Sequence, residues 1–288
     1  MNIAIIGSSG YIASYLFQRF SSEAQIEHIL KIDQTEDADV YLNLQEADKF
    51  DYKTLDGIDY VIFTAAISGP DKCTNEYDFC WNINVTGTEY FIRHAMDMGC
   101  RVLFFSSDAV FGDIPGCIYN ELSETKAHTA YGRMKKHVED TFKENELFKA
   151  IRLSYVVSAR DKFVSYCLSC AKKKETAEIF HPFYRNCISV SDVVNVVSWL
   201  INNWDTFPSF VLNVTGKELV SRIRIVDELN RFLKEKIAYA VVCPDEKFFE
   251  SRPKITQMES LYLQKYNILP DNSFTEKIQT EFKEIINE

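Results

Sequence analysis

From Asn2 to Val157 the chain alternates apolar runs of strand length with longer stretches of helical period, and this rhythm limits its fold more than any other feature. The strand-like runs are NIAIIG, IEHILKID, DVYLNL, YVIFTAA, RVLFFSS and FKAIRLSYVV. Between them lie the helical patterns YIASYLFQRF, YFIRHAMDM and the segment around Tyr131. Strands joined by helical crossovers pair parallel, with helices on both faces of the sheet. Enrichment in Ile, Val and Phe fits strands buried on both faces. The predicted fold class is therefore α/β with a doubly wound parallel sheet.

After about residue 158 the rhythm loosens. The patterns predict a helix over Phe163–Lys174, a short strand at AEIF and a helix in SDVVNVVSWLI capped by Ser191 or Asp192. They also predict a strand FVLNVTG ending at Gly216 and helices at RIVDELNRFLKE, ESLYLQKYN and FTEKIQTEFKEIINE. The expected organisation is a dinucleotide-binding domain over 1–158, to which 188–216 return, and a smaller C-terminal substrate lobe from 159–187 and 217–288.

With 288 residues, 46% of them hydrophobic, the chain can build a sizeable core without disulfides. A net charge of −10 and a pI near 5.1 oppose non-specific binding to nucleic acid. The basic run AKKKE reads as a solvated helix end. MNIAIIG has no basic leader, no run reaches membrane-spanning length, and eight scattered Cys suit a reducing compartment. These features predict a soluble, cytoplasmic protein with no membrane partner. CLSC (Cys167, Cys170) lacks a second pair or His partners, so no metal site is expected.

IAIIGSSGYIAS joins the first strand to the first helix, placing Gly7, Gly10 and Ala13 where a tight turn, a pyrophosphate approach and close helix packing each demand a small residue. In this context the motif predicts a dinucleotide cofactor and a Rossmann-like sheet. Asp33, ending the second strand, is placed to accept a ribose 2′-hydroxyl and to repel a 2′-phosphate. Gln34, Thr35 and Glu36 add no positive charge, and Ser8 and Ser9 are neutral. NAD(H) is therefore favoured, with NADP(H) the alternative.

RVLFFSS ends in Ser107 and Asp108 at the carboxyl edge of the sheet, where such folds bind ligands. In AYGRMKKH, Tyr131 and Lys135 stand one helical turn apart. An ammonium beside a phenol favours phenolate and predicts a lowered Tyr131 pKa. The hydroxyls of Ser107 and Tyr131 can converge on one carbonyl oxygen, Tyr131 giving up the proton.

GxxGxxA, FTAA, NVTGT, SSDAVFGD and YGRMK together resemble the extended short-chain dehydrogenases/reductases. Within them, RNCISVSDVV and the Arg252–Pro253 pair are most similar to the dTDP-4-dehydrorhamnose reductase family. This resemblance implies a catalytic set of Ser107, Tyr131 and Lys135. It implies cofactor binding by Gly7, Ser9, Gly10, Tyr11, Ile12, Asp33, Asn43, Leu44, Ala65, Ala66 and Asn84, with Tyr131 and Lys135. Asp108, Arg185 and Arg252 become substrate-binding candidates, the two Arg for a diphosphate. The implied reaction is NAD(P)H-dependent reduction of a nucleotide-activated 4-keto-6-deoxy sugar, and a homodimer is compatible with it.

Dehydratases of the superfamily resemble one another in a Glu two places after the Ser/Thr, and here that place is Ala109, which cannot act as a base. A 4-epimerase usually has a larger C-terminal lobe. A reductase that also epimerises carries a Cys/His pair, for which Cys117, His128 and His181 are the available residues. The remaining alternative is a non-catalytic, cofactor-binding regulatory subunit.

Overall fold

The computed structural model describes residues 1–283. Its main sheet has seven strands in the spatial order Val211–Val214, Phe148–Leu153, Arg101–Ser107, Tyr60–Phe63, Asn2–Ile6, His28–Asp33 and Val40–Tyr41. The first strand pairs parallel with both His28–Asp33 and Tyr60–Phe63, and the latter pairs parallel with Arg101–Ser107. Strand order thus reverses beside Asn2–Ile6, producing the crevice in which doubly wound sheets bind ligands.

Burial explains why these runs are strands. All four residues of Tyr60–Phe63 are buried, as are four of the five in Asn2–Ile6. Phe63, Phe91, Phe104 and Phe148 join one core cluster with Ile6 and Ile32. Each buried ring contributes about 1.5–3 kcal/mol through removal from water.

The chain separates into two compact units. The first comprises residues 1–112, 124–152 and 197–212; the second comprises 113–123, 153–196 and 213 onward. The boundary therefore falls at Arg152 rather than near 158, and only 197–212 return rather than 188–216. Residues 113–123 leave the first unit because buried Glu121 binds the second: its carboxylate accepts Asn213 N at 2.9 Å, Ser260 Oγ at 2.7 Å and Leu261 N at 2.9 Å.

A four-stranded sheet organises the second unit, in the order Leu219–Ser221, Tyr184–Asn186, Ile255–Met258 and Ile118–Tyr119. Two parallel two-stranded ladders pair Ile188–Ser189 with Val156–Val157 and Tyr239–Val242 with Ala177–Phe180. FKAIRLSYVV is consequently two strands: its first half lies in the main sheet and Val156–Val157 pair elsewhere.

Other local expectations shift for identifiable reasons. DVYLNL forms a strand only at Val40–Tyr41, because Asn43 caps a helical turn by accepting Gln45 N at 3.0 Å. The helix Val190–Asn202 starts before both expected caps, and Ser189 accepts Asp192 N instead. Asp192 is left to pair with Lys277. The RIVDELNRFLKE helix begins earlier, at Arg222, because Ser221 accepts Arg224 N. ESLYLQKYN forms turns, ending at Asn267 with φ of 50°. The last predicted helix is present over Phe274–Glu281 behind a Ser273–Glu276 capping box, and its expected extension over 284–288 lies outside the described residues. Among the described residues, no helix is long and apolar enough to cross a membrane.

Candidate functional site

A cavity of about 380 Å³ opens where the strands Asn2–Ile6 and Tyr60–Phe63 end. Gly7, Ser9, Gly10, Asp33, Asn43, Leu44, Ala65 and Ala66, eight of the residues expected around a cofactor, line it. Gly7 is required twice over, by a φ of +81° and by the approach of the neighbouring strand end, since a Cβ there would fall 2.8 Å from Ala65 Cα. Gly10 N donates to Gly7 O at 3.0 Å, closing the turn before the helix Tyr11–Phe20.

Asp33 fastens this turn. Its Oδ2 accepts Ser9 N at 2.8 Å and Ser9 Oγ at 2.7 Å, while Oδ1 accepts Gln34 N at 2.6 Å. The carboxylate therefore lies at the rim of the cavity, aligned by charge-assisted hydrogen bonds.

Five residues expected around the cofactor do not line the cavity, Tyr131 and Lys135 among them. Tyr11 and Ile12 open the helix beside it. Asn84 is buried under the loop that follows Tyr60–Phe63, its amide donating to Ile67 O at 2.9 Å and accepting Ile67 N at 2.8 Å. Asn84 thus supports the wall instead of forming it. Gln34, Gln45, Lys72 and Phe79 also line the cavity and were not foreseen as lining residues; the last three come from the short helices Leu44–Lys49, Pro70–Asn75 and Tyr77–Trp81, too short to carry a clear periodic signal.

Ser107 closes the strand Arg101–Ser107, accepting Ala109 N at 3.2 Å and donating to Asp108 Oδ1 at 3.1 Å. Tyr131 opens the helix Ala130–Phe142, which Thr129 caps by accepting Gly132 N at 3.1 Å. The Ser107 turn meets this helix at Gly132, where a Cβ would fall 2.2 Å from Ala109 O. Sequence reasoning passed over Gly132, whose signal was a glycine inside an otherwise strong helix.

Lys135 lies one turn beyond Tyr131 and is only 2% exposed. Its Nζ sits 4.3 Å from the Phe104 ring centroid and 5.7 Å from that of Tyr131. Burial lowers its pKa to about 7, against the opposing pull of Glu139 and Cys73. The phenol of Tyr131 moves opposite to the sequence expectation: burial first, then Cys73 and Asp108, raise it above its ordinary range. The ammonium is itself desolvated and turned toward Phe104, so it does not offset those effects. Tyr131 and Lys135 both lie outside the lining of the glycine-turn cavity.

Asp108 is buried beside Ser107 in the first unit. Arg185 and Arg252 belong to the second. Arg185 donates to Tyr184 O at 2.6 Å and Pro253 O at 2.7 Å, and Arg252 donates to Ser251 Oγ at 2.8 Å over the Phe248 ring. Backbone carbonyls thus already engage Arg185. Cys167 and Cys170 are buried free thiols, and burial pushes Cys167 up to about 12.

Comparison with known proteins gives a family and a fold. A curated dTDP-4-dehydrorhamnose reductase from Salmonella typhimurium is 28% identical over 134 residues, covering 44% of this chain and 43% of that one. The match thus spans less than half the length of that relative. A crystal structure of dTDP-4-dehydrorhamnose reductase from Bacillus anthracis in complex with NADP has a TM-score of 0.83 at 20% identity, covering 98% of this chain and 99% of that one. UDP-glucose-4-epimerase from Stenotrophomonas maltophila with bound NAD has a TM-score of 0.81 at 18% identity, covering 98% and 97%. A fold shared equally with a reductase and an epimerase selects no reaction. Residues 1–286 match the family model described as RmlD substrate binding domain, and the chain belongs to that family.

Proposed function

We propose that this protein is an NAD(P)H-dependent reductase of a nucleotide-activated 4-keto-6-deoxy sugar. The observation that carries the reading is the joint placement of the Ser107 turn, Tyr131 and buried Lys135 around Gly132. The name of the Salmonella typhimurium relative supports the substrate class.

A dinucleotide fits the cavity on three counts: the side-chain-free Gly7 turn, the amides of the Tyr11–Phe20 helix start, and the carboxylate of Asp33 at the rim. Gly7, Ser9, Gly10, Asp33, Asn43, Leu44, Ala65 and Ala66 would hold it. Asp33 favours a free ribose 2′-hydroxyl and hence NADH. When bound, the reduced nicotinamide supplies hydride.

The residues supply the rest. Tyr131, raised in pKa, is a protonated phenol at neutral pH and donates its proton to the substrate oxygen. The Ser107 hydroxyl gives that oxygen a second hydrogen bond. The Lys135 ammonium stabilises the phenolate left on Tyr131. Asp108 accepts a hydrogen bond from the Ser107 hydroxyl until the substrate oxygen takes over that hydrogen bond, and Arg185 and Arg252 are proposed to meet the substrate diphosphate.

The test is loss of NADH or NADPH absorbance with a panel of nucleotide 4-keto sugars. One sugar should drive oxidation, and Tyr131→Phe should lower turnover by about 10²–10⁴-fold. Cofactor binding without consumption by any panel member would instead favour a regulatory subunit.

A further inference from the structure

Glu139 is a buried carboxylate to which the reaction proposed above gives no part. Tyr131, Lys135 and Glu139 recur every four residues along Ala130–Phe142, so their side chains stack on one helix face. The side chains of Glu139 and Arg152 are 3% and 4% exposed. Arg152 reaches Glu139 from the strand Phe148–Leu153, with Nη2 2.6 Å from Oε2 and Nε 3.1 Å from each carboxylate oxygen. Its guanidinium covers the Phe111 ring at 4.9 Å, and Nη1 is buried with no hydrogen-bond partner among the described residues.

As a stabilising device this pair is poor. Desolvating two charges offsets much of their attraction, and an apolar pair of similar volume generally serves a core at least as well. The orphaned Nη1 adds a further penalty. What the apolar pair could not provide is a fixed negative charge next to Lys135. The charged and titratable groups facing that ammonium are Tyr131 and Glu139 from its own helix and Cys73 from Pro70–Asn75. Glu139 is the carboxylate among them, and it works against the desolvation of the ammonium.

We propose that Glu139, clamped by Arg152, is a positioning residue that keeps the Lys135 ammonium charged beside Tyr131. The inference rests on the reductase reading of Tyr131 and Lys135. Arg152 fixes the carboxylate in place, and the carboxylate sets how far up in pH Lys135 retains its proton. Neither residue touches substrate.

The test follows the Lys135 ammonium in the free protein by NMR of isotope-labelled lysine side chains, assigned with Lys135→Met. In Glu139→Gln the titration midpoint should fall by about one pH unit. In Glu139→Asp, which keeps the charge, it should stay near the parent value. Should Glu139→Gln fail to fold with Arg152 uncompensated, the double variant Glu139→Gln/Arg152→Met removes both charges, and its midpoint should also fall. An unchanged midpoint in folded variants lacking the carboxylate overturns the proposal. The pH profile of kcat/KM should move with the NMR midpoint. Because the NMR arm needs no substrate, a parent protein without turnover would sink the reductase reading alone.

Discussion

Gly132 lies against the carbonyl of Ala109, so close that a Cβ on Gly132 would fall 2.2 Å from that oxygen. The contact joins the turn that begins at Ser107 to the helix that carries Tyr131. The turn and the helix, whose residues Ser107 and Tyr131 stand 24 positions apart in sequence, pack together through the absence of a side chain at Gly132.

Gly132→Ala should therefore separate the two. Inserting a methyl into a packed contact costs about 1–3 kcal/mol, and the opposing atom here is backbone, which cannot swing aside. Thermal unfolding should shift downward, and kcat/KM should fall by more than stability alone explains in the protein that remains folded. Parent-like turnover at a parent-like Tm would mean that the turn yields freely.

At Gly7 the expected loss is in binding. Gly7→Ala carries a φ penalty of roughly 1–2 kcal/mol and drives a methyl toward Ala65, whose backbone forms the facing wall of the cavity. Titration of NADH by fluorescence should show affinity reduced by at least about tenfold. Equal affinity in parent and variant would place the dinucleotide elsewhere.

Asp33→Asn tests cofactor choice. The substitution removes the charge that repels a 2′-phosphate while keeping an oxygen for Ser9 N and Oγ. NADH should bind about tenfold more weakly through loss of a charge-assisted hydrogen bond, and the NADPH to NADH affinity ratio should rise. Parallel isothermal titrations with both cofactors decide it; a ratio that does not move assigns Asp33 to the turn alone.

Gly7 and Asp33 illustrate what was readable in advance. The six apolar runs and the glycine turn were legible because buried parallel strands and a phosphate-binding turn each tolerate few residue types. Ser107, Tyr131 and Lys135 could be picked out because their residue types and spacing suit one chemistry. Asn84 was legible as important, yet its bonds to Ile67 depend on a loop path that sequence does not encode locally. Arg152 and Glu139 read as ordinary charges, since only the packing of strand on helix reveals that they are buried. The direction of the Tyr131 shift was missed for the same reason: spacing predicts a neighbouring ammonium, whereas burial and the aim of that ammonium decide the sign.

Lys135 should also leave a mark on stability. An ordinary lysine value of 10.5 falls to about 7 in the folded state, so between those pH values the unfolded chain binds a proton that the folded one lacks. Stability rises with pH wherever the unfolded state binds more protons. The contribution of Lys135 is thus a penalty, fully present below about pH 7 and relieved as pH climbs toward 10.5, with a slope of at most about 1.4 kcal/mol per pH unit. Lys135→Met abolishes the titration and should flatten this component. Urea unfolding of both proteins between pH 6 and about 9.5 should show the parent gaining on the variant as pH rises. A constant difference would mean that Lys135 keeps an ordinary ammonium and that its burial is offset within the folded protein.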